Sequence, residues 1–189
     1  MLYAFGFERV GVVVGDLYFV DPKPRPGQEG AEHGVRLELR VLERGALKGT
    51  IYSAQPIEVG QPIWRADFLE SVEGQPGSFD RTHHHPAVKG WNPGRRVFDA
   101  ELSADPFGWL GRKLADLDGL LATAGFAPEV AGPDDAESLR DVAPEIVDAT
   151  RRLLDKVRSG ELGNPPREEA LAADGLSTGE PVVIRTGWL

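Results

Sequence analysis

The 189-residue chain has no cysteine. Disulfides, thiolate metal ligands and cysteine nucleophiles are excluded together, which suits a reducing compartment. Long apolar runs are missing too. Stretches such as VGVVVG at 10–15 fall far short of the roughly 20 residues that a membrane-spanning helix needs. The opening MLYAFGFERVG lacks a basic stretch followed by an apolar segment, so no secretory signal is expected. Nucleotide-fold signatures are also absent. GALKGT at 45–50 has neither the spacing nor the lysine position of a P-loop, and no Gly-x-Gly-x-x-Gly follows a strand. GLSTG at 175–179 fits Gly-x-Ser-x-Gly, but a nucleophile elbow needs a strand before it and a helix after it. The order here is the reverse, so Ser177 is not expected to be a nucleophile. A soluble, cytoplasmic protein is the expectation.

What is present suffices for a self-supporting core. Hydrophobic residues make up 41% of the chain and charged residues 27%. A chain this long buries about 70% of its unfolded surface. The net charge of −9 is unevenly spread: residues 1–100 carry 12 basic against 13 acidic side chains, and residues 101–189 carry 9 against 17. An acidic protein is a poor non-specific DNA binder, because phosphate contacts need clustered Lys and Arg.

Hydrophobic periodicity divides the chain. Val35, Leu37, Leu39 and Val41 alternate with Arg36, Glu38 and Arg40, the period-2 pattern of a strand buried on one face. ERVGVVVGDLYFVDP reads as two β-rich runs around Gly15-Asp16, and TIYSAQPIEV at 50–59 as an extended segment broken at Gly60-Gln61-Pro62. In 63–72, Trp64, Ala66 and Phe68 fall on one face against Ile63, Arg65, Asp67 and Leu69 on the other. The period then becomes helical. Asp105 and Pro106 open a helix running to Gly125, and a second helix is expected over about 144–157, with a short one possible in PDDAESLRDV between them. The expected architecture is α+β: an antiparallel sheet or open curved barrel over about 1–102, packed against helices over about 105–158, in one domain of residues 1–159. Residues 160–180 read as a linker, and PVVIRTGWL as a docked C-terminal strand.

The one candidate site lies in GSFDRTHHHPAVKGWNPGRRVFDAEL at 77–102, which holds three of the four histidines. If extended, His83 and His85 share one face and His84 takes the other. A metal reading pairs His83 and His85 with Asp99 and Glu101, a donor set suited to a divalent transition metal. A phosphate reading draws on the basic island from Arg81 to Arg96, which contains no acidic residue. There His84 and His85 would exchange protons, Arg81, Arg95 and Arg96 would hold phosphate oxygens, and Asp80 would orient an imidazole, with no cofactor required. A third reading is a surface loop that binds a protein partner, pinned to the core by Trp91.

The run Phe79-Asp80-Arg81-Thr82-His83-His84-His85-Pro86 resembles the "aromatic, Asp, Asn, small, Pro, His, His, Pro" segment of the TumE-type toxin family of toxin–antitoxin systems. Phe79, Asp80, His84, His85 and Pro86 match, while Arg81 and His83 stand where that family usually has Asn and Pro. The resemblance implies a small α+β domain that acts on RNA and is held by an antitoxin partner. The acidic C-terminal helices have no counterpart in it, and could instead cover the basic island within the same chain.

Overall fold

Strict alternation builds the first layer. In the computed structural model, which describes residues 1–166, β1 (Leu2–Gly6), β2 (Val10–Val20), β3 (Ala31–Arg44), β4 (Ile57–Ser71) and β5 (His83–His85) form an antiparallel sheet in the order β1-β2-β3-β4-β5. Each strand pairs with its neighbour in sequence, and among the described residues β1 and β5 do not meet, so the sheet is open rather than a barrel. Val12, Val14, Val35, Leu37, Leu39, Trp64, Ala66 and Phe68 are buried on one face. The intervening Arg36, Glu38, Arg65 and Asp67 point to the other, as period-2 geometry requires.

Helices cover the apolar face. They are α1 (Ala100–Ala104), α2 (Pro106–Leu114), α3 (Leu117–Ala124) and α4 (Asp135–Arg158). Leu110, Leu114, Leu121, Leu139, Ile146 and Leu153 complete one core with the strand residues. The α+β class, the antiparallel sheet and the packing of C-terminal helices on it agree with the sequence. No helix among the described residues is long and apolar enough to cross a membrane.

The differences lie at breaks. β2 runs unbroken through Gly15-Asp16, because both residues keep their pairing with β3, opposite Arg36 and Val35. The turn falls earlier, where the Phe7 N–H donates to the Val10 carbonyl at 3.0 Å. Residues 50–56 are not a strand, and Gly60-Gln61-Pro62 is a register irregularity inside β4 rather than its boundary. The single helix expected over 106–124 is divided at Ala115-Asp116, where the Asp116 carboxylate accepts from the Gly119 N–H and caps α3. Conversely, α4 absorbs PDDAESLRDV from Asp135 onward and carries Pro144 inside it. The expected C-terminal strand and Ser177 lie outside the described residues.

Candidate functional site

The histidine triplet is the short edge strand β5, paired with β4 so that Asp67 faces His83, Ala66 faces His84 and Arg65 faces His85. Directly opposite residues share a face, so His83 and His85 stand with Asp67 and Arg65 on the polar side of the sheet. His84 turns into the core, where its ring packs 5.1 Å from Trp109 and 6.4 Å from Trp64. Burial, with a smaller push from Lys113, lowers its pKa to about 4, so it is neutral near pH 7.

Asp67 is wholly buried and is the charge centre of the polar face. Arg36 Nε donates to its Oδ1 at 2.8 Å, and Arg65 Nε to its Oδ2 at 2.7 Å. Burial alone would raise this carboxyl, but Arg36 and Arg65 overcome that and hold it well below the usual carboxylate range. The Nε2 atoms of His83 and His85 lie 3.3 and 3.4 Å from the same Oδ2. The remaining ring nitrogens are fixed by backbone carbonyls: His83 Nδ1 lies 2.8 Å from the Arg81 oxygen and His85 Nδ1 3.0 Å from the Gly94 oxygen. A carbonyl only accepts, so each Nδ1 carries the proton. Burial lowers the His85 pKa despite the pull of Asp67.

Glu32 lies near this group on β3 and is 1% exposed. Neither of its carboxylate oxygens finds a hydrogen-bond donor among the described residues. Burial raises its pKa against the opposing fields of Arg96, His83 and Arg81.

Above Asp67, His83 and His85 opens a cavity of about 970 Å³. Seven cationic side chains line it against three carboxylates, although the chain as a whole is acidic. Arg36 and Arg65 belong to the floor. Lys23, Arg25, Arg95 and Arg96 come from the segments beside it, and Arg40 from β3. Arg96 makes long contacts with Gln28, 3.3 Å, and Asp21, 3.5 Å. The Arg95 side chain makes no hydrogen bond or ion pair among the described residues. Trp91 also lines the cavity, 64% exposed, with the Arg40 guanidinium 5.0 Å from its ring centre.

The anticipated residues therefore separate. His83, His85, Arg95 and Arg96 meet at the cavity. His84 does not, because alternation sends it to the other face. Arg81 is turned away from the cavity lining; its guanidinium donates to the carbonyls of Gly27 and Glu29 and so ties down that loop. Asp80 orients no imidazole but accepts from Ser71 N, Ser71 Oγ and Ser78 Oγ. Asp99 and Glu101 do not join His83 and His85. The chain does pair with the triplet at Val97, where His84 and Val97 exchange backbone hydrogen bonds. It then turns into α1 with Asp99 as N-cap, whose other oxygen accepts from Trp109 Nε1 at 3.2 Å. Glu101 is exposed and faces Arg112. Trp91 is not pinned to the core.

The carboxylates that do approach the histidines, Asp67 and Glu32, were not anticipated. The sequence pattern groups Asp67 with Ile63, Arg65 and Leu69, opposite Trp64, Ala66 and Phe68; it marks neither that face as polar nor the pairing of β4 with β5. The chain matches no known protein family model, no curated protein and no solved structure.

Proposed function

We propose that the cavity over Asp67 binds single-stranded RNA and acts on one of its phosphodiesters, with the chemistry at His83 and His85. The observation that carries this reading is the focusing of seven cationic side chains around a buried histidine pair in a chain of net charge −9. A cleft with an excess of cationic side chains attracts anions, and guanidinium groups match phosphate oxygens in bidentate geometry. Arg95 and Arg96 are the anchors: Arg95 has no partner to surrender among the described residues, and the contacts of Arg96 are long. Exposed Trp91 supplies a face on which a base can stack. The Nε2 lone pairs of His83 and His85 stand at the floor, beneath the place where a bound phosphodiester would lie.

The test is fluorescence polarisation with a short fluorescein-labelled oligouridylate, followed by gel analysis of the same RNA. Binding should weaken with salt, the slope of log K against log[salt] being about −0.7 per phosphate engaged. Arg95→Ala and Arg96→Ala should each weaken it about tenfold, and Trp91→Ala by about 1–3 kcal/mol. Cleavage should disappear in His85→Ala. Binding that ignores both arginine changes, or no binding at low salt, overturns the reading.

A further inference from the structure

At the floor of the cavity the Arg36 and Arg65 guanidiniums donate to Asp67, but no donor among the described residues reaches the histidine lone pairs beside it. Six buried side-chain polar atoms lack a hydrogen-bond partner among the described residues: two, Nε2 of His83 and Nε2 of His85, stand at this floor, and two more are the oxygens of Glu32, a β3 carboxylate near His83 but outside the cavity lining. All four are acceptors when the carboxylate is ionised and the proton of each imidazole is on Nδ1, where the carbonyls of Arg81 and Gly94 hold it. Two imidazole lone pairs thus converge with one carboxylate oxygen, and the ligand atoms of Asp67, His83 and His85 all lie within 4.8 Å of one another. Arg36 and Arg65 neutralise Asp67, but neither guanidinium partners the two Nε2 lone pairs, which an electrophilic ion would satisfy.

From this geometry we infer that His83 Nε2, His85 Nε2 and Asp67 Oδ2 hold a divalent first-row transition-metal ion of the zinc class, with buried Glu32 adding negative charge nearby rather than a ligand atom. Ligand atoms about 2.0–2.1 Å from a tetrahedral ion stand about 3.3–3.4 Å apart. The two Nε2 to Oδ2 separations are 3.3 and 3.4 Å. Carbonyl acceptors on the second ring nitrogen are the usual partners of metal-bound histidine, since they orient the ring and leave Nε2 unprotonated. Arg36 and Arg65 keep Asp67 ionised, as a ligand must be. Two nitrogen donors select against Mg²⁺ and Ca²⁺, which prefer all-oxygen sites. Three protein ligands leave coordination positions facing the cavity, where an ion can polarise a phosphate oxygen or acidify water.

The ion's place in RNA chemistry rests on the function proposed above, but its binding does not. The closing experiment therefore uses Zn²⁺ and Co²⁺ alone, without RNA, on the full chain after chelator treatment. Competition with a chromophoric chelator should give one Zn²⁺ per chain with a Kd of about 1 μM or tighter. Co²⁺ should give the visible absorption of a four- or five-coordinate site, and Mg²⁺ should not compete. Affinity should fall about 100-fold or more in His83→Ala/His85→Ala and in Asp67→Asn, and less in Glu32→Gln. Should a variant fail to fold, histidine ¹⁵N spectra of the unaltered chain decide: Zn²⁺ should move the Nε2 signals of two of the four imidazoles. A folded chain that takes up no Zn²⁺, or ¹⁵N shifts confined to His33 and His84, overturns the metal centre. RNA binding that survives in chelator beside absent Zn²⁺ uptake removes the metal and leaves the RNA reading standing.

Discussion

At the scale of single residues, one imidazole separates the folding role of the triplet from its chemical role. His84 sits between the cavity histidines in sequence yet packs against Trp64 and Trp109. Its Nδ1 has no partner among the described residues, so removing the ring's polarity sacrifices no hydrogen bond there. His84→Leu should therefore change stability in urea denaturation by less than about 1.5 kcal/mol, as near volume-conserving core exchanges do. Zn²⁺ uptake and oligouridylate binding should stay within about twofold of the unaltered chain, well below a tenfold effect worth about 1.4 kcal/mol. A folded His84→Leu chain that binds neither would place His84 in the site after all.

At the scale of elements, period-2 alternation made much of the site legible. It puts His83 and His85 on one face and His84 on the other, and it sets Asp67 on the face of β4 opposite Trp64, Ala66 and Phe68. It does not reveal which strands pair. Asp99 and Glu101 look extended after Val97, but an N-cap carboxylate and the start of a helix override two alternating residues. Breaks in the sequence pattern need not end an element: Gly60 to Pro62 is accommodated by a bulge because flanking residues of β4 still pair with β3. Asp116 divides a hydrophobic period that continues across it, and only its capping bond marks the division.

One glycine shows how tightly the central pairing is built. Gly34 lies opposite Leu69 on β3, two residues from both Glu32 and Arg36, with φ of +152°. A Cβ there would lie 2.0 Å from the Phe68 carbonyl oxygen, a backbone atom that cannot step aside. Gly34→Ala should destabilise the protein by about 3 kcal/mol or more in thermal unfolding. Gly15→Ala is the control, because its nearest neighbour would be Leu2 Cδ1 at 3.5 Å. Its effect should stay within about 1 kcal/mol. Equal effects at the two positions would mean that the β3–β4 pairing is looser than this geometry requires.

At the scale of the whole molecule, the sheet and helices are locked by charge as well as by the core. Glu70, 2% exposed at the end of β4, accepts from Arg158 Nη2 at 2.6 Å and Nε at 3.2 Å, at the end of α4. It also accepts from the backbone N–H groups of Gly77 and Phe79, the loop that leads to the histidine strand. The lock therefore ties α4, β4 and the approach to the site together. Burial would raise the Glu70 pKa, but Arg158 and those N–H groups bring it below the ordinary value of 4.5. A carboxyl lowered on folding stabilises the native state above its unfolded pKa, and that contribution is lost as pH falls through the folded value. Arg158→Met leaves a buried carboxylate without its counter-ion, which costs about 3 kcal/mol near neutral pH. Below about pH 4.5 that cost should shrink, because Glu70 of the variant escapes the penalty by taking up a proton. Urea denaturation of both chains at a series of pH values reads the difference directly, and the other carboxylates, common to both, largely cancel. A gap between the two chains that stays constant from about pH 7 to about pH 3 would show that the Glu70 charge does not hold the helix to the sheet.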